Sequence, residues 1–152
     1  MTPQTARKTE VVRTVNSLLR SEITAADSYL QAIARIDANR SSDIEVLRKI
    51  AQEHSQAVQA LRAEIERLGG QPAETSGGWL TITKNVQVQG DAQVFLEAAT
   101  LADLKEGEAR GLSEYRDAVR RVNGSTAALI EESLIPAQLE HIDVLSEMIQ
   151  RL

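Results

Sequence analysis

Apolar residues recur at Val12, Val15, Leu18, Leu19, Ile23, Ala26, Tyr29, Leu30, Ile33 and Ile36. That spacing of three and four lays one stripe along a helix and predicts a first helix over about residues 6–37. Polar residues 37–41 interrupt the stripe, and Ser42 with Glu45 then forms a capping-box signature ahead of Ile44, Leu47 and Ile50. A second helix, about 43–68, follows through Ala57, Val58, Leu61, Ile65 and Leu68. Gly69, Gly70 and Pro72 stop it, as a C-cap glycine followed by a helix breaker. A third stripe runs through Val94, Leu101, Leu104, Leu112, Tyr115, Val119 and Val122, over about 91–122, and ends at Asn123 and Gly124. Ser125 or Thr126 can cap a fourth stripe of Leu129, Ile130, Leu134, Leu145, Met148 and Leu152, over about 126–151. Pro136 lies inside it, removes one backbone hydrogen bond and predicts a kink or bulge.

Between the second and third stripes, residues 69–90 hold turn formers and then Trp79, Leu80, Ile82, Val86 and Val88 in partly alternating order. They read as a connection with a short extended or irregular piece, anchored to the helices by Trp79. A helix of about 26 residues is about 39 Å long, and a connection of about 20 residues reaches roughly 60 Å. The connection can therefore run the full length of a bundle. The expected fold is all-α: one domain over 1–152, a four-helix bundle made of two helical hairpins joined by a long crossover, with its second and third helices parallel.

Composition agrees with that reading. The 152 residues include 20 alanines and 16 leucines against 8 glycines, 3 prolines and 3% aromatics, which disfavours an all-β fold. The absence of cysteine excludes disulfides, thiolate nucleophiles and Cys-ligated metals, so any metal must be held by Glu, Asp, His or Gln. A net charge of −5 with no basic block argues against nucleic acid or an anionic membrane as partner; Arg7, Lys8 and Arg13 make only a thin basic start. No apolar run approaches a membrane span and Met1 to Glu10 has no apolar signal region, so a cytoplasmic protein is expected.

Offset by 86 residues, the chain pairs Glu22 with Glu108, Tyr29 with Tyr115 and Arg35 with Arg121; offset by 87, it pairs Glu53 with Glu140 and His54 with His141. The two hairpins read as copies. Glu22, His54, Glu108 and His141 all lie on the inward stripes. Measured from the hairpin turns they fall about 21 to 27 Å down their helices, near the middle of a bundle about 50 Å long. A convergent cluster of two glutamates and two histidines is the prediction. A buried carboxylate must be paired, hydrogen-bonded, protonated or metal-bound, since desolvating it alone costs several kcal/mol. Two alternatives satisfy that demand: a site for iron, manganese or zinc, or two Glu–His hydrogen-bonded pairs that fix helix register without metal.

With these residues in hand, the sequence resembles the ferritin-like superfamily, in which each of two duplicated hairpins supplies one Glu from its first helix and a Glu-x-x-His from its second. Glu22 and Glu108 match the single glutamates. Ala51-Gln52-Glu53-His54 and Gln138-Leu139-Glu140-His141 occupy the Glu-x-x-His positions but carry Ala51 and Gln138 where the bridging carboxylates belong. Within the superfamily the chain is most similar to a bacterial family of small four-helix-bundle proteins of uncharacterised activity. The similar segments are Ala63 to Pro72, Glu106-Gly107-Glu108, Tyr115 to Ala118 and Gln138 to Ile142. The resemblance implies a metal site reduced to Glu22, His54, Glu108 and His141, with Gln138 as an extra ligand, and binding or oxidation of ferrous iron. The competing expectation, favoured by Ala51 and Gln138, is a non-enzymatic assembly or interaction module. Stripes wider than one face on the first and third helices point to a homo-oligomer, a dimer.

Four further residues are read conservatively. Tyr29 and Tyr115 are expected in the core, with hydrogen bonding to the site as the sharper reading. Glu97 is expected near a helix start, where a carboxylate suits the dipole. Glu53 is rotated about 100° from His54 and should point away from the cluster, with orientation of a neighbour as its remaining role.

Overall fold

A computed structural model describes residues 2–74 and 91–152. The central part of the crossover, with Trp79 and the expected extended piece, lies outside the described residues.

Helix α1 spans Pro3–Ile33, starting earlier than the apolar stripe because Thr2 accepts the Thr5 N–H through its side chain and Pro3 suits the first turn. Helix α2 spans Ser41–Arg67. Its N-cap is Arg40 and makes no side-chain cap bond, so the expected Ser42–Glu45 box does not form. Arg40 instead pairs with Asp43 of the first turn at 2.9 Å, and Glu45 pairs with Arg48 at 2.8 Å. The far end closes as expected. Gly69 takes a left-handed φ of 81°, the Gly70 N–H donates to Ile65 O and the Gly69 N–H to Glu66 O, a Schellman closure of the last turn. Gly70 also lies against α1, where a Cβ would stand 2.6 Å from Val12 Cγ1. Asn16 fastens the exit segment, donating to Gln71 O and accepting the Ala73 N–H.

Helix α3 spans Asp91–Val119. The fourth rod is α4, Gly124–Leu129, a π turn over Ile130–Leu134 and α5, Ile135–Gln150. The π turn precedes Pro136, which has no N–H for the carbonyl one turn back; the helix widens and Ile135 N–H reaches Ile130 O.

Cross-helix bonds fix the directions. Tyr29 reaches Glu108 and Ser21 reaches Glu114, so α1 and α3 are antiparallel. His54 reaches Glu22 while Gly70 abuts Val12, so α1 and α2 are antiparallel too, and α2 and α3 run parallel. The chain is an all-α four-helix bundle. Among the described residues its core consists of two apolar clusters. One holds Tyr29, Ile36, Leu47, Ile50, Leu101 and Leu145. The other holds Val15, Leu19, Leu61, Ile65, Ile130 and Leu134. On each rod a polar residue interrupts the stripe where the two clusters meet.

Candidate metal centre

Those interruptions are Glu22, His54, Glu108 and His141, all buried. Each helix carries its residue inward because it occupies a stripe position between apolar neighbours. The structure brings all four together. His54 lies between the two glutamates, with Nδ1 2.5 Å from Glu22 Oε2 and Nε2 2.5 Å from Glu108 Oε1. His141 faces the same carboxylate on its other oxygen, Nδ1 to Glu108 Oε2, at 3.4 Å. The two imidazole rings are 4.8 Å apart.

A ring of supporting groups surrounds the four. Tyr29 donates to Glu108 Oε1 at 2.7 Å, and Tyr115 donates to Glu22 Oε1. Both tyrosines are thus hydrogen-bonding partners of the cluster as well as core residues. Gln138 is buried and donates its amide to the backbone carbonyl of Glu108 at 3.0 Å, a bond that fixes α5 on α3. Glu53, expected to point away, bonds across the bundle to His141 Nε2 at 3.1 Å. Periodicity along α2 alone could not find this contact, since the partner sits on another helix; the adjacent Glu-His pair was the available signal. Glu97 lies apart from the cluster. It accepts from the Asp37 N–H, Arg40 and Gln93 and ties the α1–α2 turn to α3, a more specific role than dipole complementation.

Burial opposes charge on His54, but the attraction of Glu22 and Glu108 and their hydrogen bonds outweigh it and raise the imidazole to about 10. For Glu108 burial works upward, while the charge of His54 and hydrogen bonds from both histidines bring the carboxyl down to about 2. His141 is also raised, burial being overcome by the hydrogen bond and charge of Glu108. Burial beside carboxylates pushes both tyrosines well above their ordinary value. At neutral pH His54 is therefore held as an imidazolium against the Glu108 carboxylate.

The donor set does not fit two metal ions. A dinuclear carboxylate centre of this architecture draws a Glu from positions equivalent to 51 and 138. Here Ala51 belongs to an apolar cluster and Gln138 is engaged with a backbone carbonyl. One ion fits better. His54, Glu108 and His141 each offer an atom, all within 4.8 Å of one another. Two ligands about 2.1 Å from a tetrahedral ion lie about 3.4 Å apart, as His141 Nδ1 and Glu108 Oε2 do, whereas His54 Nε2, 2.5 Å from Glu108 Oε1, has to draw back for an ion to be held. Glu22 stands outside this trio, bonded to His54 Nδ1.

Residues 10–121 match a family described as a domain of unknown function, DUF2383. No curated protein matches the sequence. Among solved structures, a Rhodobacter capsulatus bacterioferritin with a metal-free dinuclear site and haem iron is similar at 24% identity and a TM-score of 0.74, over 93% of this chain and 84% of that one. A ferritin-like diiron-carboxylate protein from Bacillus anthracis is similar at 14% identity and a TM-score of 0.76, over 98% and 99%. The Desulfovibrio desulfuricans bacterioferritin, described for its diiron site, is similar at 17% and 0.69, over 99% and 84%. At these identities the likeness shows the fold, a ferritin-like bundle. No helix among the described residues is long and apolar enough to cross a membrane.

Proposed function

The chain belongs to the DUF2383 family, and from its ferritin-like bundle and buried trio we propose that it holds one divalent transition-metal ion, with ferrous iron the first candidate. The observation that carries this reading is the convergence of ligand atoms from His54, Glu108 and His141 within 4.8 Å, on three different rods of the bundle. Imidazole and carboxylate donors suit iron, manganese and zinc. The diiron sites described for the Desulfovibrio desulfuricans bacterioferritin and the Bacillus anthracis protein support iron by likeness of fold. Bound iron would supply one-electron chemistry.

In this reading the chain's own residues divide the work. Glu22 accepts from His54 Nδ1 and orients the ring so that Nε2 faces Glu108. Glu53 does the same for His141, accepting at Nε2 so that Nδ1 faces Glu108. Tyr29 steadies the Glu108 carboxylate, and the two apolar clusters exclude water from above and below. His54 must release a proton to become a ligand, so binding is expected to release protons.

The test uses protein purified without a histidine tag, analysed for metal and then given Fe(II) anaerobically, beside a His54→Ala, His141→Ala variant. The wild type is expected to bind iron and the variant not. Folded wild type that binds no metal, indistinguishable from the variant, would overturn the proposal.

A second reading rests on a specific distance. At 2.5 Å, both ring nitrogens of His54 sit at hydrogen-bonding separation from carboxylates, closer than two ligands of one ion. Under this reading the cluster fixes helix register without metal, and the bundle is an interaction module whose outer faces, with Leu30 61% and Phe95 79% exposed, meet a second copy of the chain. Its signatures are a melting temperature indifferent to chelators and a dimer in sedimentation.

A further inference from the structure

A cavity of about 250 Å³ opens to solvent between α2 and α5, and its lining includes His141, one of the three candidate ligands. Glu53 stands in the same wall, 28% exposed, with Oε2 3.1 Å from His141 Nε2. One carboxylate thus touches both the open groove and the buried cluster. Glu140 and Glu147 line the groove as well, opposed by Lys49 and Arg151. The cavity between α1 and α3, at Leu18, Glu114 and Arg121, is lined by none of the four converging residues.

Resting on the metal reading above, we infer that the α2–α5 groove is the route by which a hydrated divalent cation enters, and that Glu53 receives the cation and passes it to His141. An ion crossing packed apolar side chains would lose its water with nothing to replace it. Along this groove the Glu53 oxygens replace leaving water molecules one at a time. A carboxylate on a rotatable stem can exchange the His141 N–H for the cation and return once the ion has moved inward. Glu140 and Glu147 draw cations toward the mouth, and Lys49 opposes them.

The experiment is stopped-flow association of Co(II) with the full chain, paired with chelator-driven dissociation, for wild type, Glu53→Gln, Lys49→Gln and Val46→Trp. Val46 lines the groove and is not a candidate ligand, so the tryptophan narrows the path without removing a charge. Val46→Trp is expected to slow association and dissociation together, by about tenfold, with Kd changed less than about threefold. Glu53→Gln is expected to slow association by about tenfold and, because Glu53 also orients His141, to weaken Kd as well. Lys49→Gln is expected to speed association, with a gain that shrinks as salt is added. Unchanged association in both Glu53→Gln and Val46→Trp overturns the route. So does a weaker Kd in Glu53→Gln at an unchanged association rate, since Glu53 would then only orient His141. Wild type that binds no cobalt defeats the metal reading itself, an outcome distinct from either.

Discussion

Tyr29 on α1 donates its hydroxyl proton to Glu108 on α3, at 2.7 Å, across the junction of the two hairpins. The converse bond, Tyr115 to Glu22, runs from α3 back to α1. Each hairpin therefore supplies the tyrosine that satisfies the other's buried glutamate, and His54 joins the two carboxylates. Four rods are tied by a polar layer as well as by apolar packing.

Removing one of these donors leaves a buried carboxylate short of a hydrogen bond, which for a charged acceptor costs about 1.5–3 kcal/mol. Tyr29→Phe and Tyr115→Phe are each expected to lower the unfolding free energy by that amount in urea denaturation. Because His54 links the two glutamates, the double variant is expected to depart from additivity by about 0.5 kcal/mol or more. Two losses below about 0.5 kcal/mol would show that the tyrosines act as packing alone.

The shifted groups also fix the pH dependence of the metal-free protein. His54 rises from 6.5 unfolded to about 10 folded, so its stabilisation is fully present below pH 6.5 and is lost as pH climbs toward 10. Glu108 falls from 4.5 to about 2, so its stabilisation is present above pH 4.5 and is lost as pH drops toward 2. With chelator present, melting temperature is expected to be highest between about pH 4.5 and 6.5 and to fall on both sides, with His54→Gln flattening the alkaline limb. A maximum near pH 9 would contradict the charge assignment.

Gly70 gives a steric test of how α1 meets the end of α2. An added Cβ would lie 2.6 Å from Val12 Cγ1, and overpacking of this kind costs about 1–3 kcal/mol. Gly70→Ala is expected to lower stability within that range in thermal or urea melts. Adding Val12→Ala should recover much of the loss. A Gly70→Ala protein as stable as wild type would contradict the close approach.

The helices were legible because a stripe at 3.6-residue spacing leaves few alternatives, and Pro136 announced an irregularity that takes the form of a π turn. Glu22, His54, Glu108 and His141 were legible as inward polar residues at similar depth, and they meet. What escaped was contact between neighbours on different helices. The position of Glu53 relative to His54 on α2 says nothing about His141 on α5, and Glu97 shares a stripe with leucines while it holds the turn at Asp37 and Arg40. The start of α2 escaped for a local reason: the Arg40–Asp43 ion pair occupies the first turn where Ser42 and Glu45 offered a cap.

Binding stoichiometry decides whether one metal ion sits on His54, Glu108 and His141. Anaerobic equilibrium titration of tag-free, metal-stripped protein with Fe(II) is expected to saturate at one ion per chain in wild type and to show no saturable site in the His54→Ala, His141→Ala variant. Saturation at two ions per chain, or no saturable binding by folded wild type, would contradict it.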